Sequence, residues 1–411
     1  MHITILTNEY PPNTYGGAGV HVEYLTRELA ALEGGTHEVQ VLSFGQQRVT
    51  EGNLKVHGVE VPAELPVQDA RHRKFMDTMA RDLEMAGRVA DTDIVHCHTW
   101  YSHLAGCLAK QLAGAKLVVT THSLEPHRPW KVEQLGTAYH ASSWVERTAY
   151  ENADGVIAVS SSMATDVQSL YDVPADRVRR IYNGIDLQQY QPTLDVSVLA
   201  KHDIDPEEPF VLFVGRITRQ KGILHLVNAI QHLEPGTQVV LCAGAPDTEE
   251  IANEMETLVA EARKAGSHRI IWIDEMLPKD EVITLYSHAA VFCCPSVYEP
   301  FGIINLEAMA CKTPVVASAV GGIPEVVVPD ETGLLVSFDP VGSGDFEPAD
   351  PEGFSRALAD GLNALLTNPA RRKQMAEASR QRVEEHFSWT HIAEHTLDFY
   401  RDLLAGTPER N

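Results

Sequence analysis

The sequence predicts an α/β protein with two doubly wound parallel-sheet domains, and three observations lead to this fold class. The chain has 411 residues, which is more than one hydrophobic core usually organises. Short, β-branched, almost wholly apolar runs alternate with longer amphipathic segments, which is typical of parallel strands covered by helices on both faces. The segment 183–209 has no clear strand pattern and carries turn and proline signals, so we expect it to link the domains.

The individual elements follow from local patterns. Strands are expected at 2–7, 38–43, 93–97, 116–121, 155–160 and 177–182, and then at 210–215, 238–244, 269–273, 290–294 and 314–318. Amphipathic segments that predict helices include 20–32, 143–152, 222–233, 249–265 and 278–288, and the segment 370–404 is also expected to be helical. Ligands of doubly wound sheets bind beyond the carboxyl ends of the strands, so we expect a central cleft between two facing domains.

Composition and charge exclude several classes of protein. With 57 acidic and 33 basic side chains the net charge is −24, which disfavours binding to nucleic acid or to an anionic membrane. The start, "MHITILTNEY", has no basic region before its short apolar run, and no stretch approaches the roughly 20 apolar residues of a membrane span. The six cysteines form no C-x-x-C pair, so reduced thiols and a cytoplasmic enzyme are expected.

The first strand is followed by a glycine-rich loop. Gly16, Gly17 and Gly19 precede a predicted helix, which lets the backbone approach a ligand closely. The loop does not match the dinucleotide fingerprint, because that pattern requires glycine where this chain has Val22. The alternative is a tight turn without a ligand.

A second loop follows the strand 210–215 and carries two cations. Arg216 and Lys221 flank the start of the next helix. Cations beside free helix N–H groups can bind a diphosphate through charge-assisted hydrogen bonds. The alternative is that both are solvated surface charges.

The segment "SVYEPFGIINLEAMA" at 296–310 contains two carboxylates, Glu299 and Glu307. Pro300 and Gly302 separate Glu299 from the following helix, so Glu299 is expected in a loop and Glu307 in the second helical turn. A carboxylate among apolar residues needs hydrogen-bond donors. Sugar hydroxyls would supply them, and the alternative is a salt bridge to a basic neighbour.

Histidines cluster near the ends of two predicted strands, where His96, His98 and His103 come first and His122 follows later. No carboxylate lies at ligand spacing, so we expect hydrogen-bonding histidines and no zinc site. The acidic triplet at 91–93 precedes a strand and is expected to be a solvated loop.

Together these motifs resemble the retaining, nucleotide-sugar-dependent glycosyltransferases of family four, which have the GT-B fold. The resemblance rests on "GGAG" at 16–19, "THS" at 121–123, "GRITRQKG" at 215–222 and the pair Glu299 and Glu307. It covers nearly the whole chain. It implies an acceptor-side domain at 1–190, a donor domain at 191–385, and a C-terminal helix at 386–411 that packs back on the first domain.

Three longer stretches are similar to the actinobacterial glycogen synthase branch of this family. They are "HTWYS" at 98–102, "THSLEPHRPWKVEQLG" at 121–136 and "VSSSM…YNGID" between 159 and 186. Members of this branch are associated with α-maltose 1-phosphate synthesis from ADP-glucose and glucose 1-phosphate. The implied activity is therefore hexosyl transfer in glycogen or α-glucan synthesis, with a nucleotide-sugar donor, no cofactor and no metal needed for the chemistry.

The resemblance also implies roles for individual residues. Arg216 and Lys221 would neutralise the departing diphosphate, Glu307 would hold the ribose hydroxyls, and Glu299 would lie by the donor hexose. His122 would lie at the reacting sugar. The remaining donor contacts are expected from the backbone of Gly16, Gly17, Phe301, Gly302 and Ile303.

On the acceptor side the chain departs from the pattern of polymer-elongating glycogen and starch synthases. Those enzymes have a lysine where this chain has Tyr15, and they have H-x-H-D-W where it reads "HCHTW" at 96–100. Basic residues in "RHRK" at 71–74, or Arg128, could receive a phosphorylated acceptor, although a run such as 71–74 can also be a solvated helix face. The residues expected to bind the acceptor are Lys74, Thr99, Ser123 and Arg128.

Other functions remain open at this stage. Glucan elongation from ADP-glucose or UDP-glucose is the first alternative to glucose 1-phosphate as acceptor. A nucleotide-sugar epimerase on the same fold would need two acids placed to protonate an intermediate, and this sequence offers no clear pair. A non-catalytic nucleotide-sugar binder would not need both cations and both glutamates. The sequence does not distinguish adenine from uracil, and it leaves a homodimer open.

Overall fold

The computed structural model describes residues 1–14, 16–61, 65–128, 131–342 and 344–406. The chain divides into two compact units. The first unit contains Met1–Gly184 and Trp389–Asn411, and the second contains Ile185–Ser388. The first unit is therefore discontinuous in sequence, because its last helix follows the whole of the second unit.

The first unit is built around an eight-stranded sheet with the order β3-β4-β2-β1-β5-β6-β7-β8. Neighbouring strands are parallel apart from the antiparallel pair β3 and β4. The strands are β1 His2–Thr7, β2 Glu38–Phe44, β3 Arg48–Glu51, β4 Leu54–Val59, β5 Ile94–His98, β6 Lys116–Thr121, β7 Gly155–Ala158 and β8 Val178–Arg180. The helices that connect them are α1 Gly17–Gly35, α2 Arg73–Arg88, α3 His103–Ala113, α4 Lys131–Leu135, α5 Ala138–Asn152 and α6 Ser161–Tyr171.

The second unit has a six-stranded sheet with the order β11-β10-β9-β12-β13-β14, and all its neighbouring strands are parallel. Its strands are β9 Phe210–Arg216, β10 Gln238–Gly244, β11 Arg269–Ile273, β12 Val291–Cys294, β13 Val315–Ser318 and β14 Gly333–Val336, followed by the antiparallel hairpin β15 Pro340–Gly342 and β16 Asp345–Pro348. Its helices are α7 Ser197–Lys201, α8 Ile223–Ala229, α9 Glu249–Ala265, α10 Lys279–His288, α11 Ile303–Ala310, α12 Ile323–Val326, α13 Pro351–Leu366 and α14 Pro369–His386.

The last helix, α15 Trp389–Ala405, packs on α1 and completes the core of the first unit. Phe399 and Tyr400 are buried in the same apolar cluster as Ile5 and Val118 of the central strands. Trp389 lies so close to Gly184 that a Cβ atom there would be 2.6 Å from the indole. The helix is thus an integral part of this unit.

These observations confirm the predicted fold class and each of the eleven predicted strands. The prediction missed β3 and β4, β14, and the hairpin β15–β16. It also treated 370–404 as one helical segment, whereas the structure breaks it at 387–388, between α14 and α15. Within the described residues no helix combines the length and the apolar character that crossing a bilayer requires.

Candidate active site

The second unit brings its charged loops together because β9 and β12 are neighbours in the sheet. Lys221 lies in a short turn after β9, where its backbone N–H donates to the Thr218 hydroxyl at 3.1 Å. Glu299 lies in the loop after β12. The Lys221 Nζ atom is 2.7 Å from Glu299 Oε2, so two predicted site residues that are far apart in the sequence form a direct ion pair at the carboxyl ends of the strands.

This ion pair is enclosed but not sealed. The side chains of Lys221 and Glu299 are 19% and 10% exposed, and Ser296 Oγ donates a second hydrogen bond to Glu299 Oε2 at 3.2 Å. Burial alone would lower the pKa of Lys221, but the adjacent Glu299 carboxylate outweighs it and raises that pKa. The ammonium group is therefore charged and held in a fixed position at the rim of the sheet.

Two glycines allow the loops to approach this closely. Gly222 has φ of 61°, and a Cβ atom there would lie 2.0 Å from the Pro295 carbonyl oxygen. Gly321 has φ of 55°, and its Cβ atom would lie 1.9 Å from the Glu299 carbonyl oxygen. Any larger residue at either position would push the β12–α11 loop out of place and separate Glu299 from Lys221.

Glu307 is in the second turn of α11, as predicted, and two tyrosines donate hydrogen bonds to it. Tyr190 donates to Oε1 at 2.9 Å and Tyr286 donates to Oε2 at 3.1 Å. The sequence suggested sugar hydroxyls or a basic neighbour, whereas the chain itself supplies two phenol groups. Burial raises the pKa of Glu307. Each carboxylate oxygen can accept a further hydrogen bond.

Arg216 is also paired. Its Nη1 atom is 2.8 Å from Asp247 Oδ1, and the side chain remains 42% exposed. Asp247 lies in the loop after β10, the strand next to β9. Its position beyond a strand end is a signal that sequence reasoning could have used. The remaining N–H groups of the guanidinium are still available to a ligand.

The backbone after Glu299 turns directly into α11. Gly302 has φ of 102° and occupies the N-cap position, and Ile303 begins the helix. Phe301 is buried, with 2% of its surface exposed. The backbone of these three residues thus leads directly from Glu299 into the first turn of α11.

The first unit contributes a cluster of histidines at the carboxyl ends of β5 and β6. His98 ends β5 and His122 follows β6, and their Nδ1 and Nε2 atoms are 2.9 Å apart. His21 of α1 joins them, with its ring centroid 4.8 Å from that of His122. Burial lowers the pKa of all three imidazoles, to about 4 for His21. His96 instead contacts Tyr400 and Thr120, each at 2.6 Å.

Two of the acceptor candidates, Thr99 and Ser123, directly follow histidines of this cluster in the sequence. Each acceptor candidate has contacts outside the cluster. Arg128 donates to Ser123 Oγ at 3.3 Å, so these two residues are together. Thr99 donates to Asn8 Oδ1 at 2.7 Å. The Lys74 ammonium lies 5.2 Å from the centre of the Tyr101 ring.

The glycine-rich loop reaches α1 as expected. The Gly16 N–H donates to Glu9 Oε2 at 3.0 Å, and Gly17 is the first residue of α1. Tyr15, which the sequence analysis singled out, lies outside the described residues.

Sequence reasoning missed a buried polar network beside the Arg128 loop. Lys131 Nζ is 2.6 Å from Glu125 Oε1, and Ser142 Oγ donates to Glu125 Oε2 at 2.9 Å. The Glu125 N–H donates to Glu146 Oε1 at 2.8 Å, and the Tyr171 hydroxyl donates to the same oxygen. Burial raises the pKa of Glu146 to about 8. The network fixes both ends of the segment that carries Arg128.

Two family models match the chain. The model described as Glycosyltransferase Family 4 matches residues 15–189, and the model described as Glycosyl transferases group 1 matches residues 198–343. The first matched region lies almost entirely within the first unit, and the second lies entirely within the second unit.

Full-length relatives are similar to the chain as well. It is 47% identical over 410 residues to an alpha-maltose-1-phosphate synthase from Mycolicibacterium smegmatis, covering 98% of this chain and 100% of that protein. It is 44% identical over 409 residues to an alpha-maltose-1-phosphate synthase from Mycobacterium tuberculosis, with the same coverage. A glycogen synthase from Mycobacterium tuberculosis is 30% identical, covering 100% of this chain and 96% of that protein.

Solved structures share the fold. Sucrose-phosphate synthase from Thermosynechococcus elongatus superposes with a TM-score of 0.77 at 26% identity, covering 99% of this chain and 100% of that one. The catalytic domain of starch synthase IV from Arabidopsis thaliana, bound to ADP and acarbose, superposes with a TM-score of 0.71 at 19% identity, covering 98% and 99%.

Proposed function

The chain belongs to glycosyltransferase family 4 and has the GT-B fold, and on this basis we propose that it is a retaining α-1,4-glucosyltransferase that synthesises α-maltose 1-phosphate. Glucose passes from ADP-glucose to the 4-hydroxyl of glucose 1-phosphate, and ADP is released. The observation that carries this proposal is the 47% identity, over 98% of the chain, to an alpha-maltose-1-phosphate synthase. The geometry of the second unit agrees with a nucleotide-sugar donor.

The reaction exchanges one C1–O bond for another. The bond between the glucose C1 atom and the diphosphate breaks, and a bond to the acceptor O4 atom forms on the same face, so the α configuration is kept. The proton of the acceptor hydroxyl passes to an oxygen of the departing diphosphate. As the bond breaks, positive charge develops on the sugar and negative charge on the diphosphate, so fixed cations beside the diphosphate lower the barrier.

Lys221 and Arg216 are the cations that we assign to this role. The Lys221 ammonium is held 2.7 Å from Glu299, so its position is set before the donor binds and little reorganisation is needed during the reaction. Arg216 is anchored by Asp247 at 2.8 Å and still exposes part of its guanidinium. Each of the two cations is thus held in place by an acidic residue.

The other donor contacts follow from the positions around this pair. We assign Glu299 and the backbone of Phe301, Gly302 and Ile303 to the hexose and the phosphates. We assign Glu307 to the ribose, since its tyrosine partners hold both carboxylate oxygens in place and leave each able to accept a ribose hydroxyl. In the first unit, His122 is assigned to the reacting sugar, and the backbone at Gly16 and Gly17 to the diphosphate.

The acceptor contacts are the least constrained part of the proposal. Arg128 and Lys74 carry the charge that a sugar phosphate would need, and Ser123 lies within hydrogen-bond distance of Arg128. Thr99 follows β5 close to the histidine cluster. A cytoplasmic setting is part of the proposal, because all six cysteines, each of which the structure describes, are free thiols.

Elongation of an α-1,4-glucan is the second candidate function. The observation that favours it is the 30% identity to a full-length glycogen synthase. The two functions share the donor chemistry and differ only in the acceptor, so one experiment can separate them.

The test is to incubate the enzyme with ADP-glucose or UDP-glucose, each with glucose 1-phosphate, with glycogen, or with free glucose as a control. Nucleoside diphosphate release and the NMR spectrum of the product are measured. We expect ADP release that depends on glucose 1-phosphate, and a disaccharide product with a phosphate on an α-anomeric carbon. Release that depends on glycogen alone would favour elongation. Release that needs no acceptor, or no release at all, would overturn the transferase proposal.

A further inference from the structure

Three imidazoles from three different elements converge in the first unit, two of them buried and the third, His122, partly exposed. His21 comes from α1, His98 from the end of β5, and His122 from the loop after β6. One ring nitrogen from each lies within 4.8 Å of the others. His21 and His98 are only 2% and 0% exposed, so this is an internal polar site and not a surface cluster.

The hydrogen bonds of His21 show which of its nitrogens carries a lone pair. Its Nδ1 atom is 2.6 Å from Asn183 Oδ1, and an amide oxygen can only accept, so Nδ1–H is the donor. The Nε2 atom of the neutral ring is then unprotonated. Within the described part of the chain this Nε2 atom has no hydrogen-bond partner, although it is buried beside other imidazoles.

His98 presents a second orphaned nitrogen. Its Nδ1 atom contacts His122 at 2.9 Å, while its buried Nε2 atom has no hydrogen-bond partner among the residues that the structure describes. The facing Nδ1 and Nε2 atoms share one hydrogen, so one ring donates and the other accepts. A ligand bound to both nitrogens would replace this hydrogen bond, and the donor ring would carry its proton on its other nitrogen. Buried nitrogen atoms without partners are rare because desolvation is unfavourable, and the unpaired Nε2 lone pair of His21 beside this imidazole pair points to a ligand that accepts electrons.

We propose that His21, His98 and His122 form a binding site for a divalent transition-metal ion, with Zn²⁺ as the preferred occupant. Three neutral imidazoles are a ligand set that zinc accepts in proteins. The Zn–N distance of about 2.0–2.1 Å places the nitrogens of a tetrahedral site roughly 3.4 Å apart. Since the nitrogens lie within 4.8 Å of one another, no separation would have to shorten by more than about 1.4 Å, and the 2.9 Å separation between His98 and His122 would lengthen slightly.

The surroundings suit an ion of this kind. The Nδ1–H of His21 donates to Asn183, which is the type of outer hydrogen bond that orients a metal-bound imidazole.

The expected consequence is inhibition. A metal ion would hold the imidazole of His122, the residue that the proposed function assigns to the reacting sugar. Occupancy of the site should therefore suppress transfer, and a chelator should restore it. This last step rests on the proposed function, whereas metal binding itself does not, so binding is measured on the full-length enzyme without any substrate.

The test uses chelator-treated enzyme, Zn²⁺ binding measured by equilibrium dialysis, and Co²⁺ as a spectroscopic probe. We expect one ion per chain, visible ligand-field bands of a tetrahedral cobalt site, and no thiolate-to-metal band, since the ligands are nitrogens. His21→Gln and His98→Gln are each expected to weaken Zn²⁺ binding at least about 100-fold. His395→Gln is the control, because it disrupts an exposed histidine pair with His391, 4.1 Å between ring centroids.

Each outcome decides the proposal. If the wild-type enzyme takes up no Zn²⁺ at a ten-fold excess, a buried water molecule satisfies the orphaned nitrogens and the proposal is wrong. It is also wrong if binding is lost only in His395→Gln, or if the cobalt spectrum shows thiolate ligands. Should His21→Gln fail to fold, the wild-type spectrum and His98→Gln still provide the answer.

Discussion

Each unit of the molecule contains a buried or partly buried lysine–glutamate ion pair and a second glutamate that accepts from tyrosine. In the first unit, the sealed trio consists of Lys131, Glu125 and Glu146, and in the second, the open trio consists of Lys221, Glu299 and Glu307. The lysine pairs with the first glutamate at 2.6 Å in the sealed trio and at 2.7 Å in the open trio. The second glutamate accepts from tyrosine hydroxyls in both, and burial raises its pKa in both.

The two trios differ in how far their side chains are exposed to solvent. The side chains of Lys131 and Glu125 are 7% and 1% exposed, whereas those of Lys221 and Glu299 are 19% and 10% exposed and lie at the carboxyl ends of β9 and β12. Pairing, tyrosine hydrogen bonds and a perturbed pKa are therefore shared by a structural and a proposed catalytic site. Access for a ligand is the property that separates them, and the following substitutions test that distinction.

Removing the lysine of the sealed trio should have the largest effect. Lys131→Met leaves the buried Glu125 carboxylate without its counter-ion, and loss of one partner of a buried pair typically costs about 3–5 kcal/mol. Urea unfolding measures the change. Lys55→Met removes an exposed pair with Glu38 in the same unit and should leave the unfolding midpoint where it is. An equally small change for Lys131→Met would show that the sealed trio is not structural.

Removing the lysine of the open trio should mainly affect catalysis. Lys221→Ala is expected to lower kcat about 10²–10³-fold, since a preorganised group that stabilises developing charge is lost. ADP release at saturating substrate measures it. Lys312→Ala is the matched control in the same unit, because it breaks an exposed pair with Glu377 at the same 2.7 Å distance. If the Lys221 variant turns over normally, the open trio is structural too.

The second glutamate of the sealed trio should make stability depend on pH. The pKa of Glu146 is about 8 in the folded protein and about 4.3 when unfolded, so the folded state binds the extra proton between these values. The contribution of Glu146 to the free energy of unfolding is then greatest at low pH, and it falls by about 2.5 kcal/mol between pH 5 and pH 7. Glu146→Gln, which resembles the protonated acid, should remove this component from urea unfolding curves.

Glu151→Gln serves as the control for that measurement, because Glu151 is an exposed residue on the same helix, α5. It should keep the pH dependence of the wild type. If the Glu146 and Glu151 variants show the same slope, Glu146 is ionised in the folded protein.

The smallest effect is expected from the tyrosines. Tyr286→Phe removes one of the two donors that hold Glu307, so the KM for the nucleotide sugar should rise roughly three- to ten-fold with little change in kcat. Tyr171→Phe is the counterpart in the sealed trio and should lower stability without changing this KM. Equal KM values for the two variants would show that Glu307 does not bind the nucleotide sugar.

Much of the fold could be predicted from the sequence, because the main strands are continuous apolar runs that can be recognised without knowledge of distant residues. The missed elements lack such runs: β3 and β15 consist mostly of exposed residues, and β4 is interrupted by Lys55, His57 and Gly58. The break between α14 and α15 was also hidden, since no proline marks it. Its cause is tertiary: Phe387 is completely buried, and its carbonyl oxygen accepts from the Ile185 N–H.

For the candidate site, sequence located the loops but not the partners. Arg216, Lys221 and Glu299 were found because each follows a strand and stands beside glycine or proline, and Glu307 was found because it is a carboxylate among apolar residues. Their partners are set by tertiary structure: Tyr190 is 117 residues from Glu307. Nothing in a local pattern links Glu125 with Glu146, or shows that His21 of α1 points toward His98 and His122.

The position of α15 in the chain has a consequence for how the protein is made. During translation the whole second unit is synthesised before the helix that completes the first. Until Trp389 and Tyr400 emerge, Gly184 lacks its packing partner and His96 lacks the phenol hydroxyl that it contacts at 2.6 Å. All residues of the second unit are therefore synthesised before the first unit is complete, and the first unit must remain partly assembled until the last helix is available.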